Sequence, residues 1–100
     1  MPAQNAQVLF PVNVDGPFDY EVPYGLDLHP GDFVFAPIGK QFKLGVVWGV
    51  NSAEPSRTLK PIAEKKHCQP LPAVMLQFVD WTAKYNCASP GMVLRMVLSS

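Results

Sequence analysis

This chain is short of the residues on which most enzyme chemistry depends. It has two cysteines and two histidines in 100 residues. Cys68 and Cys87 are too few for a disulfide framework, and with His29 and His67 they do not make metal-ligand spacing. No serine sits in a Gly-x-Ser-x-Gly turn, so a nucleophilic triad has no support. Asp19 and Glu21 share a strand face, but no neighbouring feature sets them apart as an acid and a base. Gly39-Lys40 has the ending of a phosphate-binding loop. Seven residues separate Gly31 from Gly39, where that loop needs four, and Gln41 replaces its Ser or Thr. Catalysis by this chain alone is not expected.

Charge is also scarce. Eight basic residues balance eight acidic ones, and charged residues make up 16% of the chain. That excludes the strongly basic balance with which a protein coats duplex DNA. No apolar run reaches transmembrane length, and no signal peptide opens the sequence, so a reduced, intracellular protein is the expectation. The chain stops at Val97-Leu98-Ser99-Ser100, directly after an apolar segment, which suggests a domain cut from something longer.

What is present is proline, glycine and hydrophobic residues: 11, 7 and 48% respectively. They divide the first two-thirds into short strands. Gln7–Phe10 is stopped by Pro11, and Phe18–Glu21 is closed by Val22-Pro23-Tyr24-Gly25. Pro30-Gly31-Asp32 has tight-turn chemistry and leads into Phe33–Ala36, ended by Pro37. A turn at Pro37-Ile38-Gly39-Lys40 precedes Phe42–Val50, the longest strand. A polar loop, Asn51–Arg57, then leads to a last strand at Leu59–Ala63. This spacing predicts a small antiparallel barrel or sandwich. Helical periodicity begins near residue 70. Ala73–Asn86 carries Met75, Phe78, Val79, Thr82 and Tyr85 at helical spacing. A second short helix starts at Ser89-Pro90, with Met92, Val93, Met96 and Val97 as its apolar face. The expected organisation is a β part over residues 1–66 and a helical part over 67–100 of one domain, mainly β with two C-terminal helices.

The charge is segregated. Residues 1–32 hold Asp15, Asp19, Glu21, Asp27 and Asp32 with no Lys or Arg, whereas residues 40–66 hold Lys40, Lys43, Arg57, Lys60, Lys65 and Lys66 against Glu54 and Glu64. A basic rim facing an acidic pocket would read this way. Phe18-Asp19-Tyr20 places one carboxylate between two aromatic rings. Such a triplet can be plain packing. It can also be a recognition pocket, with rings for the flat face of a ligand and an acid to accept a hydrogen bond.

Together these residues resemble the N-terminal domain of the primosomal replication-restart helicase family, PriA. The resemblance covers essentially the whole chain. It rests on Phe18-Asp19-Tyr20 with Val22-Pro23, Pro30-Gly31-Asp32 with Val34, and Pro37-Ile38-Gly39-Lys40-Gln41. It continues through Gly45-Val46-Val47, Leu59-Lys60-Pro61-Ile62 and Trp81-Thr82-Ala83-Lys84-Tyr85 to Pro90-Gly91. The resemblance implies a barrel related to the oligonucleotide-binding (OB) fold that captures the 3′ end of a nascent leading strand at an arrested, forked DNA. It implies that Asp19 accepts a hydrogen bond from the 3′-hydroxyl and that Phe18 and Tyr20 shape the base pocket. Gly39 would let backbone approach the nucleotide, Lys60 would complete the wall, and Lys40 would contact phosphate.

For the full-length helicase the resemblance further implies ATP, magnesium and zinc, other primosome proteins and single-strand-binding protein as partners, and a bacterial cytoplasmic location. No cofactor is implied for this chain. Two departures stand out: Ile38 replaces a frequent phenylalanine, and Asp15-Gly16-Pro17 is less basic than the family pattern. A rival reading is a protein-interaction module that exposes Phe18, Tyr20, Phe42 and Trp48 as an apolar patch.

Overall fold

The computed structural model describes residues 4–51, 59–86 and 88–99. Most of the polar loop expected at Asn51–Arg57, and Cys87, lie outside the described residues. Five strands and two helices follow in chain order: β1 (Asn5–Leu9), β2 (Phe18–Glu21), β3 (Phe33–Ile38), β4 (Gln41–Asn51), β5 (Glu64–Lys65), α1 (Ala73–Asn86) and α2 (Pro90–Leu98). The sheet order is β2-β1-β4-β3-β5, with every neighbouring pair antiparallel.

The two edges of this sheet are joined by one stretch of chain. Glu21 donates its N–H to the Lys60 carbonyl at 2.9 Å, and Ile62 donates to the Glu21 carbonyl at 3.0 Å. Just beyond, Ala63 donates to Phe35 at 2.9 Å and Lys66 to Phe33 at 2.8 Å. Residues 60–66 thus run parallel to β2 on one side and antiparallel to β3 on the other. The result is a small barrel related to the OB fold, its two sheet edges bridged by this one stretch of chain.

Two local devices bend the strands enough to close. The register between β1 and β4 shifts between Gln7 and Val8, pairing Gln7 with Gly49 but Val8 with Val47. Trp48 is the extra residue, and a bulge of this kind sharpens twist. At Gly45, an added Cβ would fall 2.5 Å from the Val8 side chain and 3.1 Å from the Phe10 ring. Only glycine leaves room there for the strand to curl over that ring.

Strand alternation then makes two apolar clusters. Inside the barrel lie Ala6, Val8, Phe10, Tyr20, Val34, Ala36, Val47 and Ile62. On the outer face, Leu9 and Val46 meet Leu76, Val79 and Ala83 of α1 and Val93 and Leu94 of α2, with Phe33 and Trp48 packed alongside. Each cluster sits on one side of β1 and β4, as a two-residue period dictates.

Several expectations shift in detail. The strand expected at Leu59–Ala63 forms only at Glu64–Lys65. Pro61 has no N–H to give, and residues 60–62 spend their bonds on β2, as an isolated bridge. β3 runs past Pro37 to Ile38. A two-residue hairpin makes Ile38 and Gln41 the bonded pair, so the Pro37–Phe42 pair needs no N–H from proline. The α2 face is rotated from the expected one: Val93 and Leu94 are buried, while Met92 and Met96 are exposed. On α1, Leu76, Val79 and Ala83 face inward, and Phe78 and Tyr85 do not. Ser89 and Pro90 do occupy the N-cap and first position of α2, without a side-chain capping bond from Ser89. No helix among the described residues is long and apolar enough to cross a membrane.

Candidate functional site

β2, the outermost strand of the sheet order, carries Phe18, Asp19 and Tyr20 to the turn end of the β3–β4 hairpin. Alternation sends Phe18 and Tyr20 to one face. There the Phe10 ring meets both, at centroid distances of 6.1 Å to Phe18 and 6.0 Å to Tyr20. These are tilted and edge-on contacts of the kind aromatic quadrupoles favour.

The two rings nevertheless have different environments. Tyr20 is 4% exposed, while Phe18 is 43% exposed. Tyr20 donates its hydroxyl to the Pro37 carbonyl at 2.5 Å, which ties β2 to the far end of β3. Burial pushes the Tyr20 phenol above its ordinary pKa of 10.0. Tyr20 is therefore the floor of the site, and Phe18 is its reachable ring.

The β3–β4 hairpin forms the second wall. Its loop is Gly39-Lys40, and Gly39 has φ +60°. Two-residue hairpins of the primed types need a positive φ at their first loop position, and glycine takes it without strain. A Cβ at Gly39 would meet nothing within 4 Å, so the demand on this position is conformational. The third wall is Leu59-Lys60, held against β2 by the Glu21 N–H to Lys60 carbonyl bond.

These walls enclose an open cleft of about 290 Å³ lined by Phe18, Asp19, Tyr20, Pro37, Ile38, Gly39, Leu59 and Lys60. Phe18, Asp19, Tyr20, Gly39 and Lys60, singled out in the sequence, come together in it. Lys40 does not line it; it stands exposed at the hairpin tip beside Gly39. Pro37, Ile38 and Leu59 are additions. The Pro37–Lys40 turn signal takes in the first two, and all three stand in stretches that carry the family resemblance. Asp19 and Lys60 are both exposed, so a carboxylate and an ammonium flank a half-exposed ring. Such a cleft can offer a strong acceptor, a flat apolar face and one cation to an incoming group.

The four residues of the rival apolar patch do not form one surface of exposed rings. Phe18 and Phe42 are exposed, but Tyr20 is buried and Trp48 packs beneath the helices. The Trp48 indole N–H is itself engaged, donating to Asp80 Oδ1 at 2.9 Å. Among the described residues no group of three His, Cys, Asp or Glu could hold a metal ion.

A family model described as the 3′DNA-binding domain (3′BD) matches residues 7–99 of the chain. The replication restart protein PriA of Rickettsia conorii is 29% identical over 94 residues, which cover 93% of this chain and 14% of that protein. The protein of the same name from Rickettsia prowazekii is 26% identical over 94 residues, with the same two shares. The chain thus spans 14% of the length of the curated relatives it matches.

Proposed function

The chain belongs to the 3′DNA-binding domain family, and on that premise we propose that its cleft captures the free 3′-hydroxyl end of a DNA strand. The observation that carries this reading is the convergence of Phe18, Asp19, Tyr20, Gly39 and Lys60 on one cleft from three separate parts of the chain. A 3′-hydroxyl is a donor and a carboxylate is an acceptor only, so Asp19 and the strand terminus make a charge-assisted bond. The terminal base lies on Phe18, a contact worth about 1–3 kcal/mol that any base can make. Tyr20 fixes the depth of the cleft from below, and Gly39 keeps the hairpin main chain close to the sugar. Lys60 offers the one cation of the wall to the adjoining phosphate, and Lys40 stands outside for the phosphates beyond.

A 3′-phosphate would bring negative charge against Asp19, so the same carboxylate that recognises a free end rejects a blocked one. The matched relatives are named replication restart proteins. In that setting the cleft would hold the 3′ end of a nascent leading strand at an arrested fork, as one module of a longer helicase. The domain binds, and the ATP, magnesium and zinc, the other primosome proteins and the single-strand-binding protein belong to that longer protein. Weak binding by the module alone is expected to be reinforced by linked contacts of the whole.

Fluorescence-anisotropy titration of matched oligonucleotides tests the proposal. The 3′-hydroxyl strand should bind at least about tenfold more tightly than the same strand ending in a 3′-phosphate, the scale of one charged hydrogen bond. Equal affinities would overturn it.

A further inference from the structure

The Pro30-Gly31-Asp32 turn takes no part in the cleft, yet Asp32 is the buried charged residue among the described residues, at 6% exposure. Its Oδ2 accepts the His29 backbone N–H at 2.8 Å, and Lys65 Nζ lies 3.6 Å from the same oxygen. The His29 ring is also near, with Nδ1 at 4.0 Å. Lys65 donates a further bond to the Asp27 carbonyl at 2.8 Å, so one ammonium grips both arms of the turn.

The turn is itself anchored. Gly31 donates to the Val47 carbonyl at 2.7 Å, Val47 donates to the Asp32 carbonyl at 2.8 Å, and Leu71 donates to the Gly31 carbonyl at 2.8 Å. Lys65 therefore fastens β5 to a fixed point on the barrel. β5 is only two residues long, and beyond it the stretch is held by single main-chain bonds at Lys60, Ile62, Ala63 and Lys66, a short ladder to which a side-chain latch adds. Register matters here because a slip of one residue sends every side chain to the opposite face. Lys60, in the wall of the cleft, is in the same stretch, five residues earlier. A slip would turn it away from the cleft and would also pull Lys65 off Asp32. On the other face of the stretch, Lys66 Nζ sits 4.4 Å from the centroid of the Phe35 ring, a second contact that holds only in this register.

We infer that the Asp32–Lys65 pair is a register latch that seats residues 59–62 as the third wall of the cleft, which makes both of them positioning residues for 3′-end capture. This rests on the function proposed above. Neither side chain touches the strand; each acts through the placement of Lys60.

Two measurements on the 100-residue chain test the latch. The first needs no DNA: in Lys65→Met, the Ile62 amide, which donates to Glu21 in the intact chain, should exchange with solvent about fivefold faster, and Lys65→Arg should restore its protection. The second is a double-mutant cycle read by anisotropy with a 3′-hydroxyl oligonucleotide. Lys65→Met should weaken binding about fivefold when Lys60 is present and less than about twofold when Lys60 is alanine. Asp32→Asn, which keeps an acceptor for His29, should follow the same pattern.

Unchanged Ile62 exchange in Lys65→Met would overturn the latch whatever the ligand. So would equal losses of affinity in both backgrounds, which would mark a general loss of stability. If Lys60→Ala and Asp19→Ala weaken binding while Lys65→Met does not, the latch falls and the proposed function stands. If Asp19→Ala and Lys60→Ala also bind normally, both fall.

Discussion

Of the parts of this domain that expose aromatic rings, the barrel mouth and α1 differ most in what surrounds the ring. At the mouth of the barrel, Phe18 is half-buried against Phe10, with an acid, a glycine turn and a lysine converging from three segments. On α1, Val74, Phe78, Trp81 and Tyr85 form a stripe on the outer face of one helix, each about half or more exposed. Trp81 and Tyr85 are 5.2 Å apart there, and Lys84 sits 5.6 Å from the Tyr85 ring. The helical stripe exposes more rings, and none of its four residues lines the cleft that holds Asp19. The proposed site therefore rests on convergence of different chemistry from distant segments rather than on exposure of rings alone.

The sharpest test of that contrast is a pair of substitutions compared in one assay. Asp19→Ala should weaken binding of a 3′-hydroxyl oligonucleotide more than tenfold by anisotropy, because the proposed function makes this carboxylate the acceptor for the strand end. A loss of less than about twofold would remove the distinction between the two regions.

A smaller effect is expected from the floor of the cleft. Tyr20→Phe deletes the bond to Pro37 and should cost about 1 kcal/mol in chemical denaturation at neutral pH. Its pH dependence has a definite sign. Burial raises the folded-state pKa of Tyr20 above 10.0, so the folded chain holds that proton more tightly than the unfolded one. The associated stability is fully present below 10.0 and is lost as pH rises through the raised value. Melting temperature should fall more steeply with alkali in the unaltered chain than in Tyr20→Phe, and identical alkaline limbs would refute the burial of this phenol.

The smallest effect is assigned to the helix. Trp81→Ala should change neither the 3′-hydroxyl affinity nor the preference over a 3′-phosphate by more than about twofold, because surface changes away from a site stay within about 0.5 kcal/mol. A tenfold loss in the same titration would bring the stripe into the DNA site.

How much of this was legible beforehand differs between the same two regions. The strands around the cleft announce themselves. Phe18–Glu21 lies between turn residues, and Gly39-Lys40 sits between alternating runs, so both strand identity and the hairpin follow from local chemistry. The span of α1 is equally readable. Its orientation is not, because both faces are apolar: Leu76, Val79 and Ala83 on one, Val74, Phe78, Trp81 and Tyr85 on the other. The inward face proves to be the one with smaller side chains, and Ala83 belongs to the cluster that joins the helices to Leu9 and Val46. Amphipathicity cannot report that choice when there is little of it. The division of labour between Phe18 and Tyr20 was equally hidden. It depends on Phe10 and Pro37, which are distant in sequence and meet Tyr20 only in the closed barrel. The position of β5 was missed for a similar reason, since residues 60–62 bond sideways to β2 rather than extending a strand.

The most direct test of the central claim is a map of where a strand end lands. Backbone amide shifts of the 100-residue chain should be followed by NMR during titration with a short 3′-hydroxyl oligonucleotide. The account predicts the largest changes at Phe18, Asp19, Tyr20, Gly39 and Lys60, with Trp81, Lys84 and Tyr85 unmoved, and little change anywhere when the oligonucleotide ends in a 3′-phosphate. Shifts concentrated on α1, or the same shifts with either terminus, would contradict it.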